Sequence, residues 1–345
     1  MKSRFLPFMA VCLLGGLAVV SGGQPVPVIY STDLTHPHVD PDDHFDLACL
    51  YAMPEADIRA IILDQGQLQA QRPGYKAVWQ MNYLTQRHVP AAIGLRDKLK
   101  NPEDQALDQP AEFQNGVNLI LQSLQNSPEK AVVLFVGSAR DIVAAYNREP
   151  GLFQEKVRCI MGFIGEASDP ANVEYNVQLD PQAFIRLVRS GLPFYWVPCF
   201  DGGIWKNNGH ASFWRIHHRD VLEQTAEPLQ RYFLYMLRTA TNDPIAYLSQ
   251  PTDPADRAWM MNGERNLWCC PILGLPLGRS LAAEGQPVVR FSPVELTIDS
   301  QAVIHYGQST GSRSVMRFEI IDQSKFAAAA TRATAELLRA FPLRR

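Results

Sequence analysis

At 345 residues, 46% hydrophobic and a formal net charge of −3, the chain is long enough to bury one large core or two smaller ones. It carries no basic stripe with interleaved aromatics, which leaves nucleic acid and an anionic membrane surface without an electrostatic basis as partners and makes a small-molecule substrate the expectation.

Residues 1–23 begin with Lys2 and Arg4, continue as an apolar run from Phe5 to Val20 and end in Ser-Gly-Gly. This is the layout of a cleavable secretory signal, so the mature chain is expected to begin near Gln24 and to be exported, periplasmic or extracellular. The alternative is an uncleaved anchor, for which the apolar run is short. Cys12 lacks a lipoprotein-type context, and no later segment is apolar enough to cross a membrane. Five cysteines then remain, Cys49, Cys159, Cys199, Cys269 and Cys270. Their odd number and irregular spacing fit no disulfide framework, and the adjacent pair lacks the spaced pattern of a zinc site.

Val28 to Tyr30 reads as a buried strand with Asp33 just beyond its C-terminal end. Asp40, Asp42 and Asp43 then lead into an apolar helical run that stops at Met53-Pro54. Four carboxylates thus converge on one strand-to-helix turn. Buried like charges repel, and a divalent cation relieves them; all-oxygen ligands favour a hard ion, Ca²⁺ before Mg²⁺. A first-turn helix-dipole role accounts for Asp42 and Asp43 without a metal, but it does not need Asp33. His36, His38 and His44 beside the cluster read as surface-loop histidines, with a softer ion such as Zn²⁺ or Mn²⁺ as the alternative.

Ile58 to Leu63 forms the next strand, followed by the polar turn Asp64-Gln-Gly-Gln67. A helix from Pro73 and a short strand at Ala91 to Gly94 precede a charged surface loop from Lys98 to Pro110. Beyond a helix through Val117 and Leu124 comes the clearest strand, Ala131 to Val136, which ends in Gly137-Ser-Ala-Arg140-Asp141. Val157 to Ile164 repeats the pattern and runs into a long polar loop, Gly165 to Asn176. A helix then starts at Asp180-Pro181, and a strand spans Phe194 to Cys199. Alternating strands and helices predict an α/β fold, an open, mainly parallel (mixed) sheet with helices on both faces. Residues 201–250, with Trp205, Trp214, His210, His217 and His218, break the rhythm as a helical or lid excursion. Residues 251–288 read as irregular, 289–320 as strands and Phe326 to Ala340 as a helical tail, so 24–345 is expected to be one domain.

These motifs, in this order, resemble the inosine/uridine-preferring nucleoside hydrolases. Ser31-Thr-Asp33 followed by Asp42-Asp43 is similar to the family's Asp-x-Asp-x-Gly-x-Asp-Asp motif with a longer loop. Glu174-Tyr-Asn176 followed by Asp180-Pro181 is similar to its Glu-Phe-Asn and Asp-Pro segments, Gly137 to Asp141 to its Gly-Pro-Leu-Thr-Asn turn, and Asn242-Asp243-Pro244 to its His-Asp-Pro. The resemblance implies a Rossmann-like fold and calcium-dependent hydrolysis of an N-glycosidic bond. It implies Ca²⁺ held by Asp33, Asp43, Asp243 and the carbonyl of Arg140, with Asp33 as general base on a metal-bound water. Asp42, Glu174 and Asn176 would hold the ribose, joined by Gln67, Ser168 and Asn172 where the family has amides. Homo-oligomers are common in the family. Ser31 and Asn242 depart from the pattern: Asn242 stands where the family's histidine helps the base leave, and an amide cannot supply a proton worth roughly 10²–10⁴ in rate. The other readings are a sugar- or nucleoside-binding protein with little or no catalysis, and a hydrolase of another glycoside.

Overall fold

The computed structural model describes residues 24–168, 173–307 and 313–344; the signal-like segment 1–23 and Asn172 lie outside them. The apolar runs become strands β1 (Val26–Thr32), β2 (Ala56–Leu63), β3 (Ala91–Ile93), β4 (Ala131–Val136), β5 (Val157–Phe163) and β6 (Phe194–Val197). Strands β7 (Trp214–His217) and β8 (Glu264–Leu267) pair antiparallel as a separate ribbon, and β9 (Ala282–Ala283) and β10 (Gln286–Pro287) form another. Strands β11 (Val289–Ile298), β12 (Ile304–Tyr306) and β13 (Arg313–Ile320) rejoin the main sheet. Its order is β12-β11-β13-β6-β5-β4-β1-β2-β3. From β13 to β3 every neighbour is parallel, while β11 lies antiparallel to both β13 and β12.

A parallel sheet is buried on both faces, which is why its strands are apolar throughout rather than alternating. In β4, Val132, Leu134 and Val136 join the core on one face, and Val133 and Phe135 join the other. The first face is covered by the helices Asp42–Ala52, Glu227–Leu237 and Gln323–Arg339. The second is covered by Asn115–Gln125, Arg140–Arg148 and Pro181–Arg189.

The chain leaves β1 toward β2 and β3, then returns to lay β4 on the opposite side of β1. Such a reversal opens a crevice beyond the carboxyl ends of the two strands, where ligands of open α/β sheets bind. Asp33 follows β1 there, and Gly137 follows β4.

Two sequence expectations need revision. Residues 251–288 contain the helix Pro254–Met261, strand β8 and a 3₁₀ turn at Ile272–Leu277. His36 and His44 are fully buried rather than on the surface, because the loop after β1 folds inward under the helix Glu227–Leu237: Tyr235 stacks on His36 at 4.8 Å and Tyr232 lies 6.4 Å from His44. The longer loop is therefore part of the core. The five cysteines are buried free thiols. Among the described residues, no helix is long and apolar enough to cross a membrane.

Candidate active site

The helix Asp42–Ala52 starts immediately after Pro41, with Asp42 and Asp43 in its first turn. Asp46 follows one turn later, and residues three and four apart share a helix face. Asp42, Asp43 and Asp46 accordingly bring one oxygen each to within 4.8 Å of one another. Asp33 reaches the same place from the end of β1 and shares a hydrogen bond with Asp43.

Removing these carboxyls from water disfavours their charged forms, and each raises its neighbours further. Burial, then the charge of Asp64, pushes Asp33 up to about 6. Burial pushes Asp46 up to about 7 and drives Asp42 and Asp43 well above the usual carboxylate range. Arg265 offsets little of this: it acts on Asp42, but its hydrogen bonds go to Asp40 at 3.3 Å and to His218 at 2.8 Å. The donor set is hard oxygen, and Asp46 Oδ2 is buried with no hydrogen-bond partner. Those residues fit a hard divalent cation.

The turn after β2 braces Asp33. Gln65 adopts a left-handed backbone conformation with φ 61°, and its side-chain amide donates to Asp33 Oδ2 at 3.2 Å. Asp64 accepts from the Gln65 N–H at 2.7 Å and from the Ser138 N–H at 2.8 Å, tying the turns after β2 and β4 together. Gln67, expected in this role, points instead into a separate shallow groove beside Arg96, Lys98 and Arg140. The left-handed kink selects Gln65, two positions earlier.

Across the crevice, Glu174 caps the short helix Tyr175–Leu179. Its Oε1 accepts from the Asn176 N–H (2.9 Å) and its Oε2 from the N–H groups of Gly165 (2.8 Å) and Val177 (3.3 Å). Asn176 donates its side-chain amide to the Phe163 carbonyl at 2.9 Å. Both side chains line the cavity, and both are held rigidly. Ser168 lies in an adjoining pocket and donates its hydroxyl to the buried Asp201.

The cavity between these walls measures about 440 Å³ and is lined by Asp33, Asp42, Asp43, Gln65, Glu174 and Asn176 at its base. This is the size of a small-ligand site. Its mouth is aromatic: Trp205, 58% exposed, packs 5.3 Å from Phe200 and 5.8 Å from Trp268, and Tyr175 and Ile204 complete the rim. Trp268 and Cys269 come from the segment read as irregular, and no motif marked them; the ribbon of β7 with β8 carries them to the site.

Two expected site positions, Asn242 and Asp243, lie elsewhere. Arg140, expected to offer its backbone carbonyl, begins the helix Arg140–Arg148, and its guanidinium turns into the protein to Asp180 Oδ2 (3.0 Å) and the carbonyls of Leu95 and Leu179, where it braces the scaffold. Asn242 and Asp243 are exposed. Asp243 caps the helix Pro244–Tyr247 through the N–H groups of Ile245 and Ala246, and the Asn242 carbonyl accepts from the Tyr235 hydroxyl. The Asn-Asp-Pro sequence is a helix cap, and neither residue lines the cavity. The segment that closes against the acidic turn is Trp268-Cys269-Cys270, with the Cys270 thiol 3.0 Å from Asp46 Oδ1.

No family model matches the chain. A pyrimidine-specific ribonucleoside hydrolase, RihA, of Citrobacter koseri is 24% identical over 186 residues, which cover 49% of this chain and 58% of that protein. The chain thus spans little more than half the length of the curated relatives it matches. Among solved structures, a plant nucleoside hydrolase, PpNRh1, superposes with a TM-score of 0.57 at 14% identity, covering 90% of this chain and 99% of the other. The inosine-uridine preferring nucleoside hydrolase of Bacillus anthracis gives 0.54 at 14% identity with the same coverage. The fold is that of the nucleoside hydrolases. The chain is thus similar to that family in fold over about nine-tenths of its length and to one of its members in sequence over about half.

Proposed function

We propose that this protein hydrolyses the N-glycosidic bond of a nucleoside, releasing the base and ribose, with calcium held at the acidic turn. The observation that carries the reading is the convergence of Asp33, Asp42 and Asp43 from one side of the switch point and Glu174 and Asn176 from the other, around a cavity of nucleoside size. The names of the relatives point to the same reaction class.

Breaking the bond passes through an oxocarbenium-like state, which needs a held sugar, a water on one face and an escaping base. Asp33, at the carboxyl end of β1 and braced by Gln65, takes the proton from the attacking water as its carboxylate. Asp42, Glu174 and Asn176 grip vicinal hydroxyls. Glu174 keeps lone pairs for this after its three backbone bonds, since a carboxylate offers about four acceptor sites. Asp33 and Asp43 would hold a divalent cation at the turn, which would offset their charge and lower the pKa of a bound water. The base lies against Trp205, Trp268 and Phe200, and the Tyr175 phenol, kept protonated by burial and by the charge of Asp33, supplies the departing base with a hydrogen bond.

A reducing-sugar assay over purine and pyrimidine nucleosides, with and without EGTA, tests this. Turnover that EGTA removes is expected, and the profile identifies the base class. The cavity wall contains no His, Lys or Arg among its described residues, which favours a second reading, a nucleoside-binding protein without turnover. Tight binding of a ribose analogue with no release from any nucleoside selects that reading.

A further inference from the structure

Asp243, assigned to the metal by the sequence pattern, is exposed and occupied as a helix cap. The cation cluster therefore lacks this carboxylate, and Cys270, on the segment that closes against the acidic turn, contacts Asp46. Asp46 lies on the near side, 0% exposed, with one oxygen in the group formed with Asp42 and Asp43. Its two oxygens are used differently: Oδ1 accepts from the Cys270 thiol at 3.0 Å, and Oδ2 is buried without any partner. An unpaired carboxylate oxygen in a fully buried position is unfavourable unless something binds it.

We propose that Asp46 is a ligand of the bound cation, taking the place the pattern gives to Asp243, and that Cys270 is the positioning residue that orients it. The carboxylate is supplied by the helix Asp42–Ala52 itself, one turn beyond Asp43, so Asp43 and Asp46 reach the ion from a single rigid element while Asp42 is left to the sugar. The Cys270 thiol orients Asp46 by donating to Oδ1, alongside the Cys269 thiol and the Cys270 N–H that also reach this carboxyl. Hydrogen bonds of this kind to ligating carboxylates typically change metal affinity about 10–100-fold. This inference rests on the reading that the acidic turn binds a divalent cation. It does not depend on which glycosidic bond is cleaved.

Calcium binding to the purified protein, followed by titration calorimetry with Ca²⁺ alone, tests it. One site per chain is expected in the wild type. Asp46→Asn is expected to weaken it about 100-fold, Cys270→Ala about 10-fold, and Cys270→Ser, which keeps a donor, much less. Asp243→Asn is expected to bind as the wild type. Equal binding by wild type and Asp46→Asn overturns the proposal, as does loss of binding in Asp243→Asn or no calcium bound by the wild type. Should Asp46→Asn fail to fold, the contrast between Cys270→Ala and Cys270→Ser carries the same test, and equal affinities there overturn it. Binding through Asp46 without turnover of any nucleoside leaves the cation site standing and removes only the hydrolase reading.

Discussion

A Cβ placed on Gly137 would lie 2.9 Å from the carboxyl of Asp33, so the backbone after β4 presses directly on the residue after β1. Gly137 has φ +91°, a conformation side chains resist. Gly137→Ala is expected to cost about 1–3 kcal/mol in stability and, by displacing Asp33, to lower kcat about 100-fold. Urea unfolding and single-turnover kinetics read the two effects separately; a variant with wild-type kcat would show that Asp33 is not held by this contact.

Arg140 and Asp180 form a buried ion pair at 3.0 Å, and Asp180 also caps the helix Pro181–Arg189 and accepts from the Leu99 N–H at 2.8 Å. Arg140→Met leaves that carboxylate without its cation and is expected to cost about 3–5 kcal/mol. Arg59→Ala, which removes a half-exposed pair with Asp57, is expected to cost under about 1 kcal/mol. Denaturant midpoints compare them directly, and equal costs would contradict the scaffold role of Arg140.

His218 is held in its neutral form: Nδ1–H donates to the Met260 carbonyl at 2.9 Å and Nε2 accepts from Arg265 at 2.8 Å. Burial, then the charge of Arg265, depresses it from 6.5 to about 4. The folded state therefore binds fewer protons here than the unfolded state. The stability this supplies is present above pH 6.5 and is lost as pH falls from 6.5 toward 4, by up to about 3 kcal/mol. His218→Gln is expected to flatten the acid side of the stability curve. An unchanged slope would rule His218 out as its cause.

Trp205 is largely exposed while touching Phe200 and Trp268. Trp205→Ala is expected to leave the melting temperature within a few degrees of wild type and to raise KM about 10-fold through lost stacking. Tyr175→Phe is expected to lower kcat rather than raise KM, since it removes only the hydroxyl. The reverse pattern would exchange their roles.

The first half of the fold was legible because parallel strands are continuous apolar runs with polar punctuation; Ala131–Val136 matches its predicted bounds, and Asp33, Asp42 and Asp43 stand where strand end and helix start place them. What the sequence hid is tertiary. Gln65 reaches Asp33 because of a left-handed kink that composition does not announce, whereas Gln67, two residues on, faces a separate groove. Trp268 and Cys269 arrive from a stretch without periodicity, carried by an antiparallel ribbon formed between residues about fifty positions apart. Asn242-Asp243-Pro244 satisfied a motif that a helix cap also satisfies, and only exposure separates the two.

The most direct test of the central claim is ribose release by Asp33→Asn beside the wild type, in calcium, on the nucleoside the wild type turns over fastest. The account predicts loss of turnover by at least about 100-fold with the unfolding midpoint retained. Turnover at the wild-type rate would contradict the assignment of Asp33 as the base and, with it, the acidic turn as the catalytic centre.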